Sequence, residues 1–288
     1  MRNDYCVFIL TNGRPRNVLT VKSVRDAGYT GQIFLVIDDE DETGEEYKRL
    51  FGDSVLVFSK DKVGEYTDQF DNSTDRRGIL WARNACWDLA RNLGYRFFIE
   101  LDDDYTHWHY RRLGRNHRLS TVPNQVEYHG WSMRSLDLVF SALVTLVDTT
   151  PVDTIALSQG GDHMGGERNR NRFRRKAMNS VVCDSQKPCL FRGRFNEDVN
   201  TYVSLGNTGK LFFTDMELQL EQLRTQENSG GMTEMYLSSG TYTKSFFTVM
   251  AAPSCTKINL MGRTSKRLHH KINWNKAVPK ILKPAHSD

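Results

Sequence analysis

Apolar and polar positions follow two periods along the first hundred residues. Tyr5–Leu10 is a continuous apolar run that stops at Thr11-Asn12-Gly13, the mark of a strand buried on both faces. Pro15 stands near a helix start, and Val18, Val21, Val24 and Ala27 form a loose helical face closed by Gly28. Ile33–Ile37 predicts a second buried strand, ended by Asp38-Asp39-Glu40-Asp41. A short helix is expected over Glu45–Phe51 and a third strand over Val55–Phe58. Ile79–Leu93 has the spacing of an amphipathic helix stopped by Gly94. Tyr95–Leu101 is the next strand, and it runs into Asp102-Asp103-Asp104.

This β-α-β alternation predicts an α/β fold: a Rossmann-type, mainly parallel sheet with flanking helices. Such sheets bind ligands beyond the carboxyl ends of their strands. The two acidic clusters and the loop Thr11-Asn12-Gly13-Arg14 fall at those ends. Beyond residue 104 the pattern changes. Residues 105–130 are expected to form a long polar loop rich in His and Arg, of the kind that often carries function. Ser132–Val147 predicts a helix stopped near Pro151, and Thr154–Leu157 a strand entering Ser158-Gln159-Gly160-Gly161. Residues 190–260 predict mixed strands and helices before a basic tail. No repeat or linker interrupts the chain. A single domain over 1–288 is expected, in two halves, 1–105 and a mixed 106–288.

Composition narrows the class. The 288 residues are 39% apolar and 11% aromatic, enough for a sizeable core. No apolar run approaches the ~20 residues of a membrane span. The N-terminus lacks a signal peptide's long apolar stretch, so an intracellular, soluble protein is expected. Cys6, Cys86, Cys183, Cys189 and Cys255 show no CxxC spacing, and reduced thiols are expected. Cys183–Cys189 is the less expected bridged alternative. The net charge of +4 matters less than its distribution. Residues 107–118 carry four arginines and three histidines without an acid, and 167–176 carry six basic residues against one acid. Two such runs suit a polyanionic partner; a solvated surface is the blander alternative.

Several residues suit a chemistry. Carboxylates at i and i+2 after a strand can approach one hard cation, which prefers few protein carboxylates and several phosphate or water oxygens. Asp102 and Asp104 are the expected pair, with Asp103 available to a nucleotide, though three in a row leave the register open. Thr11, Gly13, Arg14, Asp38 and Asp39 are placed for the nucleoside. Arg83 can meet donor phosphates or Asp102, or lie exposed on its helix. Gly160 and Gly161 allow close backbone approach, or form an ordinary turn. Asp198, with Glu197 beside it, suits a general base; the bland alternative for Asp198 is a helix cap. His269 and His270 suit a metal site, or a plain surface.

In order, Asp102-Asp103-Asp104, Gly160-Gly161, Asn196-Glu197-Asp198 and His269-His270 resemble the GT-A glycosyltransferase layout. The strings RRKAMNS, FRGRFNEDVNTY, LFFT, TQENSGGMTEMY, GTYTKSFFTVM and HHKINWN are similar to the TET-associated glycosyltransferases. These are mostly bacteriophage proteins thought to attach sugars to hydroxymethylated pyrimidines in DNA. The resemblance implies a UDP-sugar donor, a divalent cation (Mn²⁺ or Mg²⁺) on Asp102, Asp104 and His269 or His270, and an inverting reaction with Asp198 as base. It also implies a double-stranded DNA acceptor, with 5-hydroxymethylcytosine the first choice, and the cytoplasm of an infected bacterium. Arg111, Arg112, Arg172, Arg174 and Arg175 would then grip phosphate. Trp108, His109, Tyr110 and Trp131 would stack on bases, unless they pack in the core. Three rivals stand beside this one: a GT-A enzyme with a saccharide, lipid or protein acceptor, a nucleotidyltransferase, and a non-enzymatic DNA-binding module.

Overall fold

In a computed structural model the described residues are 2–113, 128–163, 172, 173, 175, 177, 180–223, 232–261 and 267–277. Strand β1 (Tyr5–Leu10) is buried along its whole length. Successive side chains of a strand point to opposite faces. Val7 and Ile9 therefore enter one core, while Cys6, Phe8 and Leu10 enter another. Helices α1 (Leu19–Asp26) and α5 (Leu136–Thr149) cover the first face, and α4 (Leu80–Asn92) covers the second. That double cover is why the run is apolar without alternation.

β2 (Ile33–Asp38), α2 (Gly44–Phe51), β3 (Val55–Phe58), α3 (Lys60–Gly64) and β4 (Phe97–Asp102) complete the first half. β1 pairs in parallel with β2 and β4, and β2 with β3. β5 (Tyr105–Leu113), β6 (Tyr128–Ser132), β7 (Thr154–Ser158), β8 (Val181–Asp184) and β9 (Phe212–Gln222) continue the same sheet. Its order is β3-β2-β1-β4-β8-β7-β9-β5-β6. β8 runs against β4 and β7, and β5 runs against β9 and β6, so the second half is mixed. α6 (Glu197–Gly206), α7 (Met232–Ala251) and the hairpin of β10 (Thr256–Met261) and β11 (Arg267–Ile272) follow.

The first-half elements agree with the hydrophobic pattern to within about two residues; α3 had no signal there. The expected loop over 105–130 is a correction: its two ends are β5 and β6. Tyr105 and Trp108 are buried, but a bulge between Tyr105 and His107 breaks the period-2 signal. The His and Arg side chains between them then resemble loop composition. All five cysteines are free and buried. Among the described residues no helix is long and apolar enough to cross a membrane.

Candidate functional site

The chain leaves β1 toward β2 on one side, then returns to place β4 on the other side of β1. The gap between the carboxyl ends of β1 and β4 is thus the switch point where open α/β sheets hold ligands. Thr11 and Asp103 meet there. The Thr11 hydroxyl donates to Asp103 Oδ2 at 2.6 Å and lies 2.7 Å from the Tyr47 hydroxyl. Arg14 Nε is 2.8 Å from the same Asp103 oxygen. From α1, Thr20 accepts the Tyr105 N–H and donates to the Asp102 carbonyl, fixing the acidic turn.

Alternation along β4 explains the division of labour among its acids. Phe97, Ile99 and Leu101 enter the α1–α5 core, so Glu100 and Asp102 face α4. There Arg83, 1% exposed, meets three carboxylates. Its Nη1 pairs with Glu100, its Nη2 with Asp102 at 3.1 Å, and its Nε with Glu197 at 3.2 Å. Arg83 is therefore a buried hub, not an exposed helix arginine. Burial opposes its charge, but the three acids hold its pKa well above the ordinary arginine value. Burial also pushes Glu100 up to about 7 and Asp102 up to about 8, and raises Glu197. One guanidinium cannot neutralise three carboxylates in a dry site, so the cluster keeps protons near neutrality.

Asp104 differs from its neighbours. Its Oδ1 is buried and has no hydrogen-bond partner among the described residues, and burial raises its pKa to about 6. Asp103 is committed to Thr11 and Arg14, which leaves Asp102 and Asp104 as the i, i+2 pair with oxygen available to a cation. Two carboxylates with an orphaned oxygen fit a hard divalent cation that draws its other ligands from phosphate and water.

Arg83 also ties this end to the start of α6. Asn196 caps that helix in the left-handed conformation, φ 52°, which asparagine tolerates better than most residues. Its Nδ2 donates to Lys244 O and Thr248 Oγ1 of α7 and lies 3.4 Å from His270 Nδ1 on β11. Asn196 therefore occupies the N-cap position, with its side chain turned to α7 and making no bond to its own helix. Asp198 is half-buried in the first turn beside Glu197. His269 Nδ1 lies 2.6 Å from the His270 carbonyl. Among the described residues no three His, Cys, Asp or Glu side chains converge on a common metal position.

The residues expected at the nucleoside are strongly engaged. Asp38 accepts from Asn12 Nδ2 at 3.0 Å and pairs with Lys60 Nζ at 2.9 Å. Asp39 accepts the Lys60 N–H, and this bond with the Ser59 hydroxyl holds it below the usual carboxylate range despite burial. Gly13, at φ 72°, donates its N–H to Asp41. Lys60, Glu100 and Thr20 carry no expectation from the sequence. An acid inside Phe-Phe-Ile-Glu-Leu and a lysine at a strand end were the available signals.

The residues expected on the acceptor side divide. Gly160 opens a 3-10 turn that includes Gly161, and a Cβ on Gly160 would meet nothing within 4 Å. Arg111 Nη1 donates to Gln219 Oε1 at 2.6 Å. Arg112 lies on β5, and its side chain is outside the described set. Arg172 pairs with Glu217 at 3.0 Å and is partly exposed. Arg174 lies outside the described residues. Arg175 is a correction: its side chain is 10% exposed and pairs with buried Asp162, so it holds its own loop in place. Trp108 is likewise core, donating to Ser23 Oγ, whereas Tyr110 and Trp131 are exposed cross-strand partners.

Comparison with known proteins adds a family. No curated protein matches the sequence. Among solved structures, the glucosyl-3-phosphoglycerate synthase of Mycobacterium tuberculosis, with Mg²⁺ and UDP, is 11% identical. It aligns over 93% of this chain and 87% of its own, with a TM-score of 0.46. The mannosyltransferase PcManGT of Pyrobaculum calidifontis, with GDP-Man and Mn²⁺, is also 11% identical, over 79% of this chain and 59% of its own, TM-score 0.47. These likenesses are distant. The model of the TET-associated glycosyltransferases, by contrast, matches residues 5–231, most of the chain and all of the site from Thr11 to Asp198. The chain belongs to the TET-associated glycosyltransferase family, and is a glycosyltransferase.

Proposed function

We propose that this glycosyltransferase moves a sugar from a UDP-sugar to the hydroxymethyl oxygen of a 5-hydroxymethylpyrimidine in DNA, with 5-hydroxymethylcytosine the first choice and inversion at C1. An infected bacterium's cytoplasm is its setting. The observation that carries the reading is the Arg83 hub. It joins Asp102, at the donor end, to Glu197, the neighbour of Asp198, through one buried side chain.

Asp102 and Asp104 would hold the divalent cation, which when bound neutralises charge on the diphosphate. Thr11, Gly13 and Arg14 line the donor side, and Asp38 or Asp39 faces the nucleoside. Asp198 accepts the proton of the acceptor hydroxymethyl group as its oxygen bonds to C1. The bond from C1 to the diphosphate breaks with the electron pair leaving on UDP. A base opposite the leaving group gives inversion. Glu197, tied to Arg83, is the next candidate for this role. The partly exposed Arg172 and the basic composition of 107–118 favour a DNA acceptor over a saccharide or lipid.

Calorimetric titration with UDP tests the donor end. Wild type is expected to bind UDP more tightly with Mn²⁺ than in EDTA, and Asp104→Asn to lose that increment while its melting temperature holds. An increment equal to that of wild type would remove Asp104 from the metal.

A further inference from the structure

The chain approaches Asp198 through residues 185–196, between β8 and α6, which adopt no helix or strand. Main-chain groups there have no ladder to join, so other partners must satisfy them. The Phe191 N–H donates to Asn84 Oδ1 at 2.7 Å, and Asn84 Nδ2 returns a bond to the Phe191 carbonyl at 3.0 Å. The Arg192 N–H donates to Thr201 Oγ1 at 2.8 Å. The Gly193 and Arg194 N–H groups donate to the carbonyls of Asp68 and Gln69, in the 65–79 segment between α3 and α4, which also has no helix or strand. Asn200 Nδ2 donates to the Phe195 carbonyl at 2.8 Å. The register of this approach is thus fixed residue by residue.

Asn84 has a particular place among these anchors. A primary amide carries a donor beside an acceptor, so it can pair with both main-chain groups of one residue, as a neighbouring strand would. Asn84 is fully buried on α4. Its Nδ2 also donates to Thr67 Oγ1 at 3.1 Å, and that hydroxyl donates to the Val63 carbonyl. The amide is therefore braced before it meets Phe191. Arg83, the preceding residue, lies over the Phe191 ring at 5.3 Å from its centroid. Its Nε reaches Glu197 at 3.2 Å and its Nη2 reaches Asp102 at 3.1 Å. Two consecutive side chains of one helix grip both ends of 191–197, and one of them also holds Asp102. α4 is the common reference for the acidic end of β4 and for the approach to Asp198.

We propose that Asn84, seconded by Thr201, is a positioning residue for sugar transfer: by fixing the register of 191–197 it sets where Asp198 stands relative to Asp102. Neither side chain touches donor or acceptor in this role, which rests on the reading of Asp198 as the base. A reacting group displaced by ~1 Å can cost on the order of 10²-fold in rate. Donor binding, which depends on other residues, should not feel the displacement. A purely structural Asn84 would instead lower stability and leave the rate of the folded enzyme alone.

A double-mutant cycle separates the two. Single-turnover transfer is measured on a duplex carrying 5-hydroxymethylcytosine, with the UDP-sugar of a panel that wild type uses fastest. The variants are Asn84→Ala, Asp198→Asn and the two combined, with UDP affinity in Mn²⁺ measured alongside. Asn84→Ala is expected to slow transfer about 10²-fold, with Kd for UDP within about twofold of wild type. In the Asp198→Asn background the same change should slow transfer by less than about twofold, because no base is left to position. Thr201→Val keeps volume and removes the acceptor of the Arg192 N–H, and it carries the same cycle if Asn84→Ala fails to fold. A wild-type rate in the folded variant, or slowing factors that multiply in the combined one, would overturn the inference and leave Asp198 in place. Near-normal transfer by Asp198→Asn would remove the base itself, and this role with it.

Discussion

Arg83 shows how a single residue can couple two ends of a site. Replacing it would strand three carboxylates in a core of Phe and Trp. Its partners make a prediction about pH. Glu100 and Asp102 have ordinary values of 4.5 and 3.8 but lie at about 7 and 8 when folded. Between those limits the folded chain holds protons that the unfolded chain has released. Stability contributed by these groups is therefore full below about pH 4 and is lost as pH rises through 7 and 8. The metal-free melting temperature should fall between pH 6 and 9, and Asp102→Asn should flatten that slope. An equally steep slope in the variant would place the titration elsewhere.

Asp198 belongs to the same scale. Asp198 lies in the first turn of α6, where Asn is also tolerated, so Asp198→Asn removes a proton acceptor and keeps the shape. Sugar transfer is expected to fall ~10²–10⁴-fold, the usual range for losing acid–base help, with UDP binding and melting temperature near wild type. Near-normal transfer would eliminate Asp198 as the base and turn attention to Glu197.

Among the elements, the tie between the 65–79 segment and the approach to α6 depends on Gly193. It has φ 82°, and a Cβ there would lie 2.5 Å from Asn200 Nδ2 and 2.9 Å from Phe70 Cδ2. Gly193→Ala should cost ~1–3 kcal/mol in urea unfolding, from backbone strain and crowding together. Gly160→Ala, where a Cβ meets open space and φ is ordinary, should cost little. Equal costs at the two glycines would contradict the close packing at Gly193. The elements also show what the sequence could and could not convey. β1, β2 and β4 were legible because both faces are buried and the runs are unbroken. β5 was not, because a bulge and a partly exposed run of His and Arg hid its period. The i, i+2 placement of Asp102 and Asp104 was legible from spacing. Their separation from Asp103 was not, because it depends on Thr11, Arg14 and Arg83 arriving from β1, its following loop and α4. Arg172 and Arg175 looked equivalent in a basic run, yet one is partly exposed and the other is closed around Asp162.

For the whole molecule, one nine-stranded sheet runs from β3 to the β5–β6 edge, where Tyr110 and Trp131 are exposed. Residues 105–132 contain four arginines and four histidines against one acid, Glu127. A polyanion meeting that edge is consistent with a DNA acceptor. The proposed activity of the whole chain is transfer of sugar from a nucleotide-sugar to hydroxymethylated DNA. The direct measurement is nucleoside mass spectrometry of duplexes containing 5-hydroxymethylcytosine or 5-hydroxymethyluracil, incubated with a panel of UDP-sugars and Mn²⁺. One modified nucleoside should gain the mass of a single sugar with wild type and not with Asp198→Asn. Unchanged nucleosides across the panel, with the same enzyme glycosylating a saccharide, lipid or protein acceptor, would contradict the account.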